Sequence, residues 1–130
     1  MIETGLNQET VQVIDDYEEL FQYKVNGKIS FELKNRIKFF QIKSRIIKIH
    51  TINGKIETFY GSMDELDKEL SGDGFVRIHK SYLVNSKYVK QFSHNKVLLY
   101  DESELPVSRT FSKSARQFFL EKISHMKNKG

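Results

Sequence analysis

Apolar and polar residues alternate with a period of two along much of this chain, and that period predicts strands. Phe21-Gln22-Tyr23-Lys24-Val25 alternates, Asn26-Gly27 supplies the positive φ angles of a tight turn, and Ile29-Ser30-Phe31-Glu32-Leu33 returns as the second arm of a hairpin. Phe39-Phe40-Gln41-Ile42 and Ile46 to Ile52 read as further strands. Asn53-Gly54 marks a second hairpin, whose return strand is Ile56 to Tyr60. Phe75 to Ile78, Tyr88 to Phe92 and Val97 to Tyr100 follow, with turns at His94-Asn95 and Asp101-Glu102-Ser103.

Three stretches change the period. Ser62-Met63-Asp64-Glu65 has the spacing of a capping box, after which Met63, Leu66 and Leu70 share one face of a short helix that Ser71-Gly72-Asp73-Gly74 ends. Ser81 is placed to cap a helical turn through Tyr82-Leu83-Val84-Asn85. After Ser112, residues Ala115, Phe118, Phe119, Ile123 and Met126 form one apolar stripe of a C-terminal helix. Residues 5–20 fit both periods: Ile14, Tyr17 and Phe21 have helical spacing, whereas Thr10 to Val13 alternates. The pattern predicts a mainly β domain of many short strands with two or three short helices. It is expected over residues 21–124, between an acidic linker or peripheral segment at 1–20 and a basic tail at 125–130. Phe39, Phe40, Phe118 and Phe119 are assigned to its core.

Composition narrows the chemistry. At 130 residues one domain can bury a real core. The absence of cysteine excludes disulfides, thiolate metal sites and Cys nucleophiles, and fits a cytoplasmic protein. No apolar run approaches the ~20 residues that span a membrane, and the first residues lack the basic start and apolar stretch of a signal peptide. The net charge of +4 is unevenly distributed. Residues 1–20 hold six acids and no Lys or Arg, while the remainder carries all 21 Lys and Arg against 11 acids, a net +10. Such a body suits a polyanionic partner.

Catalytic patterns are missing. No two of His50, His79, His94 and His125 have metal-ligand spacing, and there is no nucleophile elbow or phosphate-cradling glycine loop. No enzyme activity, metal or cofactor is expected. Three basic places suit nucleic acid instead. Lys43-Ser44-Arg45 interrupts two apolar strands, as a loop presenting a guanidinium to a guanine edge or a phosphate. Arg77, His79 and Lys80 surround the end of the Phe75–Ile78 strand. Arg77 and His79 share one of its faces, where they serve either DNA or an internal ion pair and hydrogen bond. Pro106-Val107-Ser108-Arg109-Thr110 precedes the last helix. Its hydroxyls would cap that helix, and Arg109 would stand at the positive end of the dipole, where an anion is favoured. Candidate phosphate contacts are Lys43, Arg77, Ser81 and Lys113.

These segments together resemble the LytTR family of bacterial DNA-binding domains over about residues 21–124. The resemblance rests on the opening hairpin, on Tyr60-Gly61-Ser62-Met63-Asp64-Glu65-Leu66, on the long stretch Phe75-Val76-Arg77-Ile78-His79-Lys80-Ser81-Tyr82-Leu83-Val84-Asn85, and on Leu105-Pro106-Val107-Ser108-Arg109. It implies an elongated stack of small antiparallel β-sheets with short helices, whose inter-strand loops enter successive major grooves of double-stranded DNA. It also implies base or phosphate contacts at Ser44-Arg45, His79-Lys80 and Ser108-Arg109. The implied setting is the output half of a two-component response regulator, with a receiver domain and a sensor kinase in a longer parent or partner, acting on imperfect direct repeats. The isolated domain is expected to be monomeric. Lys34-Asn35-Arg36-Ile37-Lys38 departs from the acidic residues common before the third strand; it either extends the phosphate surface or is incidental. The rival readings are an RNA- or single-strand-binding β-domain, which needs exposed aromatics on a basic sheet face, and a basic protein-interaction module.

Overall fold

Phe39 and Phe40 are consecutive in one strand and both are buried. A strand sends neighbouring side chains to opposite faces, so this strand must be covered on both sides. The structure, a computed structural model, describes residues 19–129, with side chains as far as Lys122. It contains β1 (Leu20–Val25), β2 (Lys28–Leu33), β3 (Ile37–Lys43), β4 (Ile46–Thr51), β5 (Ile56–Tyr60), α1 (Met63–Leu70), β6 (Phe75–His79), β7 (Tyr82–Asn85), β8 (Val89–Phe92), β9 (Lys96–Leu99), β10 (Glu104–Pro106) and α2 (Arg109–Lys129). The strands form three antiparallel sheets: β1-β2, a central β5-β4-β3-β7-β6, and β10-β9-β8.

The central sheet separates two apolar cores. On one face Ile37, Phe40, Ile47, Ile49, Phe75 and Leu83 meet Phe21 and Tyr23 of the first hairpin and Met63, Leu66 and Leu70 of α1. On the other, Phe39, Val76, Ile78 and Val84 meet Val97, Leu99, Leu105, Val107 and Ala115, from the three-stranded sheet and α2. Phe118 and Phe119 pack at the edge of this second core. The stack of small sheets is therefore held by burial on both sides of its middle layer.

Local sequence sets the boundaries. Asn26 and Gly27 take φ of 51° and 78°, the geometry of a two-residue hairpin turn. Ser62 caps α1, its hydroxyl accepting from the Glu65 N–H at 3.3 Å. Gly74, at φ 88°, ends the 3₁₀ turn that follows α1.

Several expectations change. Tyr82–Asn85 is a strand, not a helical turn capped by Ser81, because Leu83 and Val84 are claimed by opposite cores. The last helix begins at Arg109 and runs 21 residues, so it is not short, and residues 125–129 continue it. Glu104–Pro106 adds a strand that was not expected. The ambiguous stretch at residues 5–20 lies, up to Glu18, outside the described residues. Lys34 and Lys38 do not extend a free phosphate surface; they pair with Asp73 at 2.9 Å and Asp101 at 2.7 Å.

Candidate nucleic-acid interface

The first basic loop is a two-residue turn. Lys43 and Ile46 are the last paired residues of β3 and β4, and between them Ser44 and Arg45 take φ of 51° and 70°. Both central positions of this turn need positive φ, which favours Asn-Gly; Ser and Arg adopt it at a conformational cost. Lys43, Ser44 and Arg45 are all exposed. The Arg45 carbonyl accepts the Gly61 N–H at 3.1 Å, tying the tip to the approach to α1. A Cβ at Gly61 would lie 2.9 Å from Ile47 Cδ1, so a larger residue there would have to displace that side chain.

The second loop joins β6 to β7. The His79 Nδ1 accepts the Ser81 N–H at 3.0 Å, which leaves a neutral ring with its proton on Nε2. Burial, then the nearby Lys80 and Arg77 charges, push the His79 pKa below its ordinary value and keep the ring neutral. Arg77 is turned inward. Its Nε donates to the His79 carbonyl at 2.8 Å, its Nη2 to the Lys80 carbonyl at 3.0 Å and its Nη1 to Asp64 at 2.9 Å, while the guanidinium lies 4.8 Å from the centre of the Phe111 ring. This side chain is 10% exposed and braces the loop, so the internal role considered for it is the one its geometry supports. Ser81 is half-buried, and Lys80 is exposed at the tip.

The third segment is pinned to the second. The Ser108 N–H donates to the Ile78 carbonyl at 2.9 Å, and the Val107 N–H to the Asn95 carbonyl at 2.9 Å. Arg109 is the exposed first residue of α2, with Lys113 exposed one turn on. The Ser108 hydroxyl does not cap the helix as expected; its oxygen is buried and has no hydrogen-bond partner among the described protein atoms.

The fold thus brings the three segments to a connected set of tips. Arg45 and Lys80 line one shallow concavity with Tyr60 and Ser62. Arg109 and Lys113 instead rim a second groove, between α2 and β8, together with Lys87 and Arg116. Among the described residues, Arg45, Lys80, Arg109 and Lys113 form no ion pair, in contrast to the part-buried Arg77, Lys34 and Lys38. Tyr60, 80% exposed beside Arg45, lies outside the three basic segments picked out in the sequence. The alternation that half-buries Phe59 turns Tyr60 outward, and that is the available signal. Among the described residues the two most exposed tyrosines, Tyr60 and Tyr100, line different grooves and form no stacking platform.

The sequence profile described as the LytTr DNA-binding domain matches residues 27–119. The chain is 37% identical over 86 residues to the sensory transduction protein LytT of Oceanobacillus iheyensis, covering 61% of this chain and 35% of that protein. It is 28% identical over 103 residues to the transcriptional regulatory protein LytR of Staphylococcus aureus, covering 75% of this chain and 42% of the relative. The chain therefore spans well under half the length of these curated relatives. In solved structures its fold is similar to a LytTr DNA-binding domain from Bacillus cereus, with a TM-score of 0.65 at 18% identity, covering 78% of this chain and 96% of that one. No helix among the described residues is long and apolar enough to cross a membrane. With its profile matched across most of its length and its stack of sheets shared, this chain belongs to the LytTR family of DNA-binding domains.

Proposed function

We propose that this domain binds double-stranded DNA sequence-specifically through two inter-strand loops and the turn into α2, as the output part of a cytoplasmic two-component response regulator. The observation that carries the reading is the division of the cations. The part-buried Lys34, Lys38 and Arg77 are paired with acids, while Arg45, Lys80 and Arg109 stand exposed at adjoining tips with no ion pair among the described residues. Free guanidinium and ammonium groups on rigid loops suit phosphates and guanine edges. Ser44, Arg45, His79, Lys80, Ser108 and Arg109 are assigned to bases and phosphates; Lys43, Ser81 and Lys113 supply further phosphate contacts. His79 takes part through Nε2–H, a donor directed by the Ser81 bond to its other nitrogen. Arg77 acts from beneath by holding the loop.

A receiver domain and its sensor kinase belong to the rest of the regulator, or to a partner. Two copies of a monomeric domain would meet on imperfect direct repeats. The test is selection from a randomised duplex library at two salt concentrations. Enrichment of one motif, repeated about one helical turn apart, is the expected result. Salt-sensitive binding with no enriched motif would leave a nonspecific binder, and no binding at low salt would refute the proposal.

A further inference from the structure

The groove between α2 and β8 differs from the loop surface. Its volume is about 950 Å³, and its rim carries Lys87, Arg109, Lys113 and Arg116, all exposed and none in an ion pair among the described residues. Its floor is apolar. The Phe92 and Phe119 rings lie 5.1 Å apart, and Leu120 is 51% exposed beside them. A DNA backbone matches the rim and leaves the floor in water. An acidic segment that also carries apolar side chains matches both.

Such a segment occurs in this chain. Residues 1–18 contain Glu3, Glu9, Asp15, Asp16 and Glu18 and no Lys or Arg, a net −5, with Ile14 and Tyr17 set among the acids. They lie outside the described residues, but their point of attachment does not. Glu19 lines a small cleft with Lys34, Asp73 and Lys87, and Lys87 also rims the groove. Glu19, to which the acidic segment is joined, thus shares Lys87 with the groove, and at full extension 18 residues reach about 60 Å.

We propose that residues 1–18 dock in the α2–β8 groove, their carboxylates on the cationic rim and Ile14 and Tyr17 on the apolar floor, and compete there with DNA for Arg109 and Lys113. Docking stands on the groove and the charge match alone; the competition rests on the DNA-binding reading above. A tethered acidic competitor acts at high effective concentration and lowers apparent DNA affinity by the fraction docked.

Two measurements on the full chain test this separately. The chain has no cysteine, so Gln8→Cys gives one site for a nitroxide label. Without DNA, selective broadening of the Lys87, Gln91 and Arg116 amide signals is expected. Leu120→Glu, which places a carboxylate on the floor, should relieve it while the rest of the spectrum is retained. Absent or uniform broadening, or broadening unchanged by Leu120→Glu, overturns the docking. Second, Ile14→Ser combined with Tyr17→Ser keeps every acid and should tighten binding to a selected duplex by about threefold or more, with no such gain in the Leu120→Glu background. Docking with unchanged affinity overturns the competition. If no duplex binds any version, the DNA reading fails while the label still reports on docking.

Discussion

Nδ1 of His79 accepts the backbone N–H of Ser81 at 3.0 Å, so the shape of the loop depends on that nitrogen staying unprotonated. His50 is held differently: its Nε2–H donates to the Gln41 side-chain oxygen at 3.1 Å, and its ring stacks 4.1 Å from Phe39. Burial, followed by Lys80 and Arg77 at His79 and by Lys38 and Lys48 at His50, pushes both pKa values below the ordinary 6.5. The unfolded chain then binds protons more readily than the folded one. The stability contribution is fully present above pH 6.5 and is lost as the pH falls through the lowered folded values. Urea unfolding between pH 7.5 and 5 should show this loss, and His79→Asn should reduce it. A parent protein equally stable across that range would contradict the account.

Arg77 and Lys80 should separate stability from binding. Arg77→Ala removes donors from two loop carbonyls and is expected to cost about 2–3 kcal/mol of stability. Lys80→Ala should leave stability within about 0.5 kcal/mol and weaken duplex binding by about 1–3 kcal/mol. Denaturant melts alongside duplex titrations test both. The assignment is reversed if Lys80→Ala unfolds the domain and Arg77→Ala merely binds more weakly.

Arg45 sits in backbone that suits glycine. Arg45→Gly should raise stability by about 1 kcal/mol, by relieving positive φ at a non-glycine residue, while lowering duplex affinity. A variant that is both less stable and still fully bound would remove Arg45 from the interface and from the list of strained residues.

Ser108 offers a further separation. Its buried hydroxyl oxygen has no partner among the described residues, so Ser108→Ala should be neutral or stabilising by up to about 1 kcal/mol. Loss of duplex affinity in this variant would assign the hydroxyl to DNA; unchanged affinity would limit the segment's contact to Arg109.

Salt reads out the phosphate contacts directly. If Arg109 neutralises one phosphate, Arg109→Ala should lower the slope of log affinity against log salt by about 0.9. A slope matching that of the parent would mean that Arg109 reads a base edge or makes no contact.

The elements legible in the sequence were those with local signals. Asn26-Gly27 turned as its residues require, and Ser62 capped α1. Tyr82–Asn85 misled because a strand buried on both faces loses its alternation, leaving Ser81 to resemble a cap. The Ser44-Arg45 loop was found from its charge, but its turn geometry was invisible without Asn or Gly. The state of the cations was the least legible part. Lys34 pairs across 39 positions and Lys38 across 63, and nothing local distinguishes them from Lys80. The bracing role of Arg77 depends on Asp64 and Phe111, which only the folded chain brings together.

The adjacent burial of Phe39 and Phe40 has an evolutionary consequence. One peptide unit links both cores, so neither layer can diverge, shrink or be exchanged without disturbing the other. The exposed tips carry no such obligation. Under the proposed interface, Arg45, Lys80 and Arg109 can be exchanged one position at a time to change the operator bound while the frame stays the same.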